Sequence, residues 1–433
     1  MSATMIEDER DEMRSFARRA LIAAGLGWAL DGLTWTMYAF ALTVALPVLG
    51  ISKGQIGWIT AASIAASAAG GVVCGLLADR FGRVKILTWV ILGYSLFTAL
   101  TATSQNMEQF LLWRVLEGFA FGGEWAVGAA LIAEYANPAR RGRVLAFVQS
   151  SYAIGWAVST ALYLVVFSLA PAEVAWRYLF LAGVLPALAA FWIRRTTRDR
   201  VVVNRNSRVR SSLVELFAPG QRRTTVLATV VGVGIQGIYY SVFIFLPLFL
   251  KTERGLSVVG TAAYTWVVII GSFAGYVCSG FVHDAIGRRP TFTIFFIGSA
   301  ASIAVFVLSP IARPEIGYGI SFVLGFFASG QAGGMGAYLS ELFPTQIRAS
   351  GQGFAYNVGR GLAGFGPLAV GALAASIALG TAILWVGGIA ALIGITAVWS
   401  LPETRKRDIL DDVATDELAR AANAVTVAAG GHV

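Results

Sequence analysis

One half of this chain repeats the other. The set Gly71, Gly75, Asp79, Gly82 and Arg83 returns as Gly275, Gly280, Asp284, Gly287 and Arg288. Gly118-Phe119 returns as Gly325-Phe326, and Glu134, Pro138 and Arg141 return as Glu341, Pro344 and Arg348. All offsets fall between 204 and 209 residues, close to half of the 433, so a single register relates the copies. In an apolar chain, self-similarity at this period points to two parallel helical repeats around a central site. The copies also disagree in an informative way. Asp31 aligns with Gln236 and Glu124 with Gln331, so two carboxylates of the first half are amides in the second.

Composition excludes an ordinary soluble domain. The chain is 57% apolar and 13% charged, with mean hydropathy +0.70, where soluble proteins run near about a quarter charged. Apolar stretches of about 20 residues, each able to cross a bilayer core of about 30 Å, recur throughout. They are predicted near 20–47, 55–77, 86–105, 108–135, 144–169, 174–194, 222–250, 257–282, 291–311, 315–343, 351–376 and 378–401, twelve in all. This divides the chain into an N-terminal segment (1–19), a six-helix bundle (20–194), a linker (195–221), a second six-helix bundle (222–401) and a tail (402–433).

Arginine placement sets the expected orientation. Arg10, Arg14, Arg18 and Arg19 precede the first span; Arg80, Arg83 and Lys85 follow the second; Arg140, Arg141 and Arg143 follow the fourth. Nine arginines lie between 194 and 223, and Arg405, Lys406 and Arg407 follow the last span. Every other loop is thus basic, which puts both termini and the linker on the cytoplasmic side. The net charge of +9 is read as a topology signal, with contacts to anionic lipid but no nucleic-acid partner. No cleavable signal peptide is expected, because the first apolar segment is too long and its flank mixes acids with bases. Cys74 and Cys278 each lie mid-span in a different half, so neither a disulfide nor a metal site is expected. His283 and His432 are the only histidines. With no nucleophile–base pair and no metal-ligand cluster, the chain is read as neither an enzyme nor a cofactor binder.

The segment Gly75-x-x-x-Asp79-Arg80-x-Gly82-Arg83-x-Lys85 falls in the tight loop between spans two and three. Glycine permits the sharp turn, and an acid at a helix end can pair with arginine. It resembles the signature loop of the major facilitator superfamily, and Gly280-x-x-x-Asp284-x-x-Gly287-Arg288-Arg289 matches it again. Arg114-x-x-Glu117-Gly118 resembles that superfamily's fourth-helix motif, and Pro402-Glu403-Thr404-Arg405 resembles the ending of its sugar and metabolite porters. Trp28-Ala29-Leu30-Asp31-Gly32, Gly122-Gly123-Glu124-Trp125, Glu341-Leu342-Phe343-Pro344-Thr345 and Tyr356-Asn357-Val358-Gly359-Arg360 are similar to the proton-coupled organic-acid symporters, a group with aromatic-acid, sialate and lactate-type carriers. The aromatic-acid carriers usually have a second Asp three residues after the first, and here that position is Thr34. The resemblance implies that spans one, four, seven and ten, with parts of five and eleven, line a central cavity.

Ionisable residues deep in a span cost about 2.5–3.5 kcal/mol on insertion scales and call for an explanation. Asp31 lies twelve residues beyond Arg19, about 18 Å along a helix and so near mid-bilayer. Glu124 and Arg360 fall within a turn or two of the same depth. Asp31 and Glu124 are the expected proton carriers, because burial and nearby cations shift carboxyl groups in opposite senses; the alternative is that each is a fixed partner of Arg360 or makes a helix-packing hydrogen bond. Arg360 is the expected anchor for a substrate carboxylate, with Asn357 one turn away and Gln236 and Gln331 completing the ring. Trp35 and Tyr38 follow Asp31 on one helix face, and Tyr239 and Tyr240 take the corresponding place in span seven; packing and hydroxyl contacts to substrate are expected of them. Arg114 steers anions or tunes Glu124, or else pairs with Glu117. Glu134 with Arg140 or Arg141, Asp79 with Arg83, Asp284 with Arg288 and Glu341 with Arg348 are the expected ion pairs of an inner gate, with Arg80 and Gly82 in the same loop.

The expectation is therefore an all-α membrane protein of twelve spans in two parallel six-helix repeats, both termini cytoplasmic, placed in a bacterial cytoplasmic membrane. The resemblance implies import of a small organic acid by proton symport, with the proton gradient as energy source, no cofactor, and a complete pathway in one chain. A sugar, polyol or zwitterion symporter, a drug exporter and a carrier-like sensor remain the alternatives.

Overall fold

The computed structural model describes residues 3–135, 141–188, 213–309, 314–344 and 347–405. The described elements are helices joined by short turns, with no strand among them. Hydrocarbon offers backbone groups no water, so a spanning segment must satisfy its own hydrogen bonds, as a helix does. The first repeat runs α1 (Ala3–Leu49), α2 (Lys53–Phe81), α3 (Arg83–Thr101), α4 (Met107–Tyr135), α5 (Arg141–Leu169) and α6 (Ala172–Leu181), the last continuing through a 3-10 turn. The second runs α7 (Arg222–Phe243), α8 (Leu246–Thr252), α9 (Val258–Ile286), α10 (Arg288–Leu308), α11 (Pro314–Gly330), α12 (Met335–Leu342), α13 (Arg348–Ala363), α14 (Phe365–Leu373) and α15 (Leu379–Trp399). Among the described residues, seven helical stretches are long and apolar enough to cross a membrane.

Four predicted spans are broken where unbroken helices were expected, 174–194 by the 3-10 turn Ala182–Val184 that follows α6. Residues 222–250 divide at Ile244–Phe245, before Pro247 in the first turn of α8. Residues 315–343 pass through a 3-10 segment, Gln331–Gly334, whose glycine pair lowers helix preference. Residues 351–376 divide at Gly364. At the other extreme, α1 begins at Ala3, so the expected N-terminal segment continues the first helix.

The repeat is physical. Gly82 (φ 98°) and Gly287 (φ 104°) make the motif turns, in a region that L side chains avoid. Gly50 (φ 64°) and Gly255 (φ 65°) make a second matched pair at the opposite end of the bundle. Helix packing repeats too. A Cβ on Gly70, Gly118 or Gly122 would strike the carbonyls of Phe119, Ser63 or Ser67 between α2 and α4. In α9 and α11, Gly271, Gly275 and Gly325 meet Phe322, Phe326 and Val268 in the same way. Such close backbone approach is how helices associate without a hydrophobic drive between them.

The exterior is apolar: Trp58, Trp89, Phe147, Leu169 and Trp385 are exposed, whereas Asp31, Arg114, Glu117, Glu124, Gln331 and Arg360 are buried. This inversion of a soluble surface belongs to a multi-pass membrane protein. At the end away from the Gly82 and Gly287 turns, the two repeats are clasped together. Lys251 Nζ donates to the Thr43 carbonyl at 2.9 Å. A Cβ on Gly57 would lie 2.6 Å from the Pro367 carbonyl oxygen, and one on Gly371 2.7 Å from that of Lys53.

Candidate functional site

The site is built where α1, α3 and α4 meet α7 and α13. Asp31 and Glu124 are 0% and 3% exposed and close enough to interact through their side chains. Gly27, one turn before Asp31, lets Glu124 in: a Cβ there would collide with Glu124 Oε1. None of the four carboxyl oxygens has a hydrogen-bond donor among the described groups. Two carboxyls in this position can bond to each other only if a proton lies between them. The Thr34 hydroxyl, at the place of the missing second Asp, bonds back to the Leu30 and Asp31 carbonyls at 3.2 and 3.3 Å.

Arg360 on α13 is 2% exposed, with its guanidinium 4.2 Å from the Phe121 ring centroid. It interacts electrostatically with Asp31, Glu117 and Glu124. Tyr240 and Tyr356 also stand beside it. Its Nε and Nη1 have no acceptor among the described residues, so donors remain for a ligand. Around it the aromatics converge. Trp35 stacks on Phe121 at 5.6 Å and meets Tyr240 at 5.4 Å. Tyr152 links Trp28, at 6.0 Å, to Tyr239, at 5.8 Å. Residues from both repeats thus enclose one polar centre.

Arg114 and Glu117 are fully buried and paired at 3.2 Å on one helix. The Arg114 guanidinium lies 4.2 Å from the Tyr38 ring, whose hydroxyl bonds Thr60 at 2.8 Å. The amides expected in the ring are partly committed elsewhere. Gln236 donates to the Tyr356 carbonyl at 3.2 Å, and Gln331 to those of Ala328 and Ile235 at 3.1 and 3.4 Å. Asn357 donates to the Gly353 carbonyl at 3.0 Å and turns its own oxygen toward Gly71. The Gln236–Tyr356 and Gln331–Ile235 bonds thus brace helices around the site, while that of Asn357 stays within α13.

The second motif loop forms a separate ionic cluster. Arg288 grips Glu341 with two bonds, of 2.7 and 3.1 Å, and Asp284 with one of 3.1 Å. Thr404 donates to Glu341 at 2.6 Å. Glu403 accepts the backbone N–H groups of Arg288, Arg289, Thr404 and Arg405 at 2.8–3.0 Å. Partial burial alone would push Glu403 up, but these donors outweigh it and hold the carboxyl below its ordinary value. Arg348 opens α13. The side chains of Asp79, Arg80, Arg83, Glu134, Arg140 and Arg141, the expected counterparts in the first repeat, lie outside the described residues.

Tyr94, Phe121 and Tyr152 were not singled out by the sequence, because an aromatic in an apolar span carries no local mark; Trp28 stood in the motif around Asp31 but with no role of its own. Their spacing from Glu124 and Asp31 was the available signal: Phe121 and Trp28 are each three residues away, on the same helix face.

A sequence model described as Major Facilitator Superfamily matches residues 24–315. A probable 4-methylmuconolactone transporter of Cupriavidus pinatubonensis is 35% identical over 382 residues, spanning 88% of this chain and 89% of that protein. A cis,cis-muconate transport protein of Acinetobacter baylyi is 28% identical, over 87% of this chain and 92% of its own. The crystal structure of a D-xylose-proton symporter matches with TM-score 0.73 at 18% identity, covering 90% of this chain and 99% of that one; this likeness concerns the fold.

Proposed function

The chain belongs to the major facilitator superfamily and is a transporter, and on that premise we propose that it imports a small organic acid together with protons. The observation that carries this reading is the burial of Asp31 and Glu124 against each other, in the field of an Arg360 with unused donors. The carboxyls hold the proton and the guanidinium holds the substrate carboxylate by parallel hydrogen bonds. The aromatic walls from Trp35, Phe121 and Tyr240 favour a flat or cyclic body on that carboxylate. The relatives named for methylmuconolactone and muconate support an organic acid.

In this reading the twelve spans rock as two six-helix repeats about the site, in a bacterial cytoplasmic membrane with both termini inside. One chain holds a complete pathway, and the proton gradient supplies the energy without a cofactor. Loading requires both a proton and an anion, because either alone leaves uncompensated charge in a buried site.

The test is pH-gradient-driven uptake in liposomes of labelled muconate, lactate, an aromatic acid and a sialate, with a sugar and a betaine as controls. Asp31→Asn and Glu124→Gln are run alongside. Accumulation of an acid that collapses in both variants, while gradient-free exchange continues, is the expected result. Uptake of the sugar or betaine alone, or accumulation indifferent to both substitutions, would overturn the reading.

A further inference from the structure

Glu124 has a second neighbour that no motif marks. Tyr94 lies on α3, a helix that contributes no other side chain to the site as described above. Its ring is 0% exposed. Gly93 brings α3 close to α4: a Cβ there would stand 3.3 Å from that of Ala120. The Tyr94 ring is fixed edge-on to Phe121, at 6.4 Å and 70°, and Phe121 in turn lies under Arg360.

The hydroxyl held this way has no completed hydrogen bond among the described groups. It lies in the field of Glu124, Asp31 and Glu117. From the other side, Glu124 interacts through its side chain with both Asp31 and Tyr94. A buried phenol with no bond of its own is a poor arrangement, unless its acceptor changes state. A protonated Glu124 can share its proton with Asp31. An ionised Glu124 becomes acceptor-only and requires donors, and Tyr94 is placed to be one of them.

We propose that Tyr94 is a positioning residue for proton coupling, donating its hydroxyl to Glu124 when Glu124 gives up its proton and so setting the pH at which the carrier unloads. This rests on the reading of Glu124 as a proton carrier. It also gives the two acids distinct roles: Glu124 has a phenol donor waiting for its ionised form, and Asp31 supplies the partner that shares the proton.

The test is substrate exchange in liposomes at equal internal and external pH, followed across the alkaline range. Tyr94→Phe removes one hydroxyl and keeps the ring against Phe121. It is expected to move the alkaline limb of exchange to higher pH by about one unit, the scale of one hydrogen bond to a charged group. In a Glu124→Gln background, adding Tyr94→Phe should move nothing. An unmoved limb in Tyr94→Phe overturns the proposal, as does a displacement of equal size in the Glu124→Gln background. Proton-driven uptake that survives Glu124→Gln overturns the coupling reading itself and this inference with it, so the two failures are told apart by that single variant.

Discussion

The charges buried at the site predict how many protons travel with the substrate. Asp31, Glu117 and Glu124 face two guanidiniums, Arg114 and Arg360, all five between 0% and 3% exposed. Fully ionised, this described cluster carries one unbalanced negative charge, and an uncompensated buried ion costs several kcal/mol. One proton therefore resides there in the empty carrier. A monocarboxylate docked on Arg360 adds a second negative charge and must bring a second proton, so substrate and proton cross together with no net charge. A pH gradient of one unit then supplies about 1.4 kcal/mol, or about tenfold accumulation. A membrane potential of about 100 mV supplies nothing, although it would supply about 2.3 kcal/mol, roughly fiftyfold, if one net charge moved. The assay is uptake into liposomes with each gradient imposed alone, the potential being set by potassium and valinomycin. Accumulation near tenfold on the pH gradient and none on the potential is the expected pattern. Accumulation driven by the potential alone would refute the charge argument and require a further proton.

Other outcomes follow from contacts described above. Lys251→Met loses the charge-assisted bond to the Thr43 carbonyl. At the low end of about 1.5–3 kcal/mol, this shifts the population roughly tenfold toward the state open at that end, measurable by distances between spin labels. Arg360→Gln should raise KM for the acid at least about tenfold by removing a charged, two-pronged partner, read by initial rates over substrate concentration. Gly122→Ala and Gly325→Ala push a methyl into the carbonyls of Ser67 and Val268 and should cost about 1–3 kcal/mol each. Gly388→Ala, which meets nothing within 4 Å, serves as the control for the drop in Tm. Glu403→Gln should cost about 0.5 kcal/mol, the low end for loss of a helix-start acceptor, because this carboxylate is largely exposed. Since Glu403 is held below its ordinary value, its contribution is full above the unfolded value of about 4.3. It is lost as pH falls through the lower folded value, so the variant and the parent should converge in acid and differ at neutral pH in thermal melts.

Much of this was legible because membranes punish exceptions. A carboxylate or guanidinium in an apolar span stands out, and Asp31, Glu124 and Arg360 come together as their common depth implied. Gly82 and Gly287 were legible because a motif surrounds them. Gly50 and Gly255 have the same spacing and positive φ but no motif, and passed unremarked. The breaks at Gln331–Gly334 and Gly364 were hidden because the flanking residues stay apolar on both sides. The amides show a different limit. The internal repeat places Gln236 and Gln331 opposite the two acids, but only the folded chain shows their NH2 groups bonded to backbone carbonyls. Tyr94 was invisible for the same reason, since nothing in the order of residues tells which way a buried phenol points.

The bonds from Glu403 and Thr404 to the start of α10 and to Glu341 join positions more than a hundred and more than sixty residues apart in sequence. During synthesis, Arg288 and Glu341 leave the ribosome well before residues 403 and 404 do. The ionic cluster of the second repeat therefore spends part of its early life without the acceptor at its helix start and without the hydroxyl on Glu341. Its assembly waits for residues 403 and 404, which emerge only after every helix of the second repeat has been made.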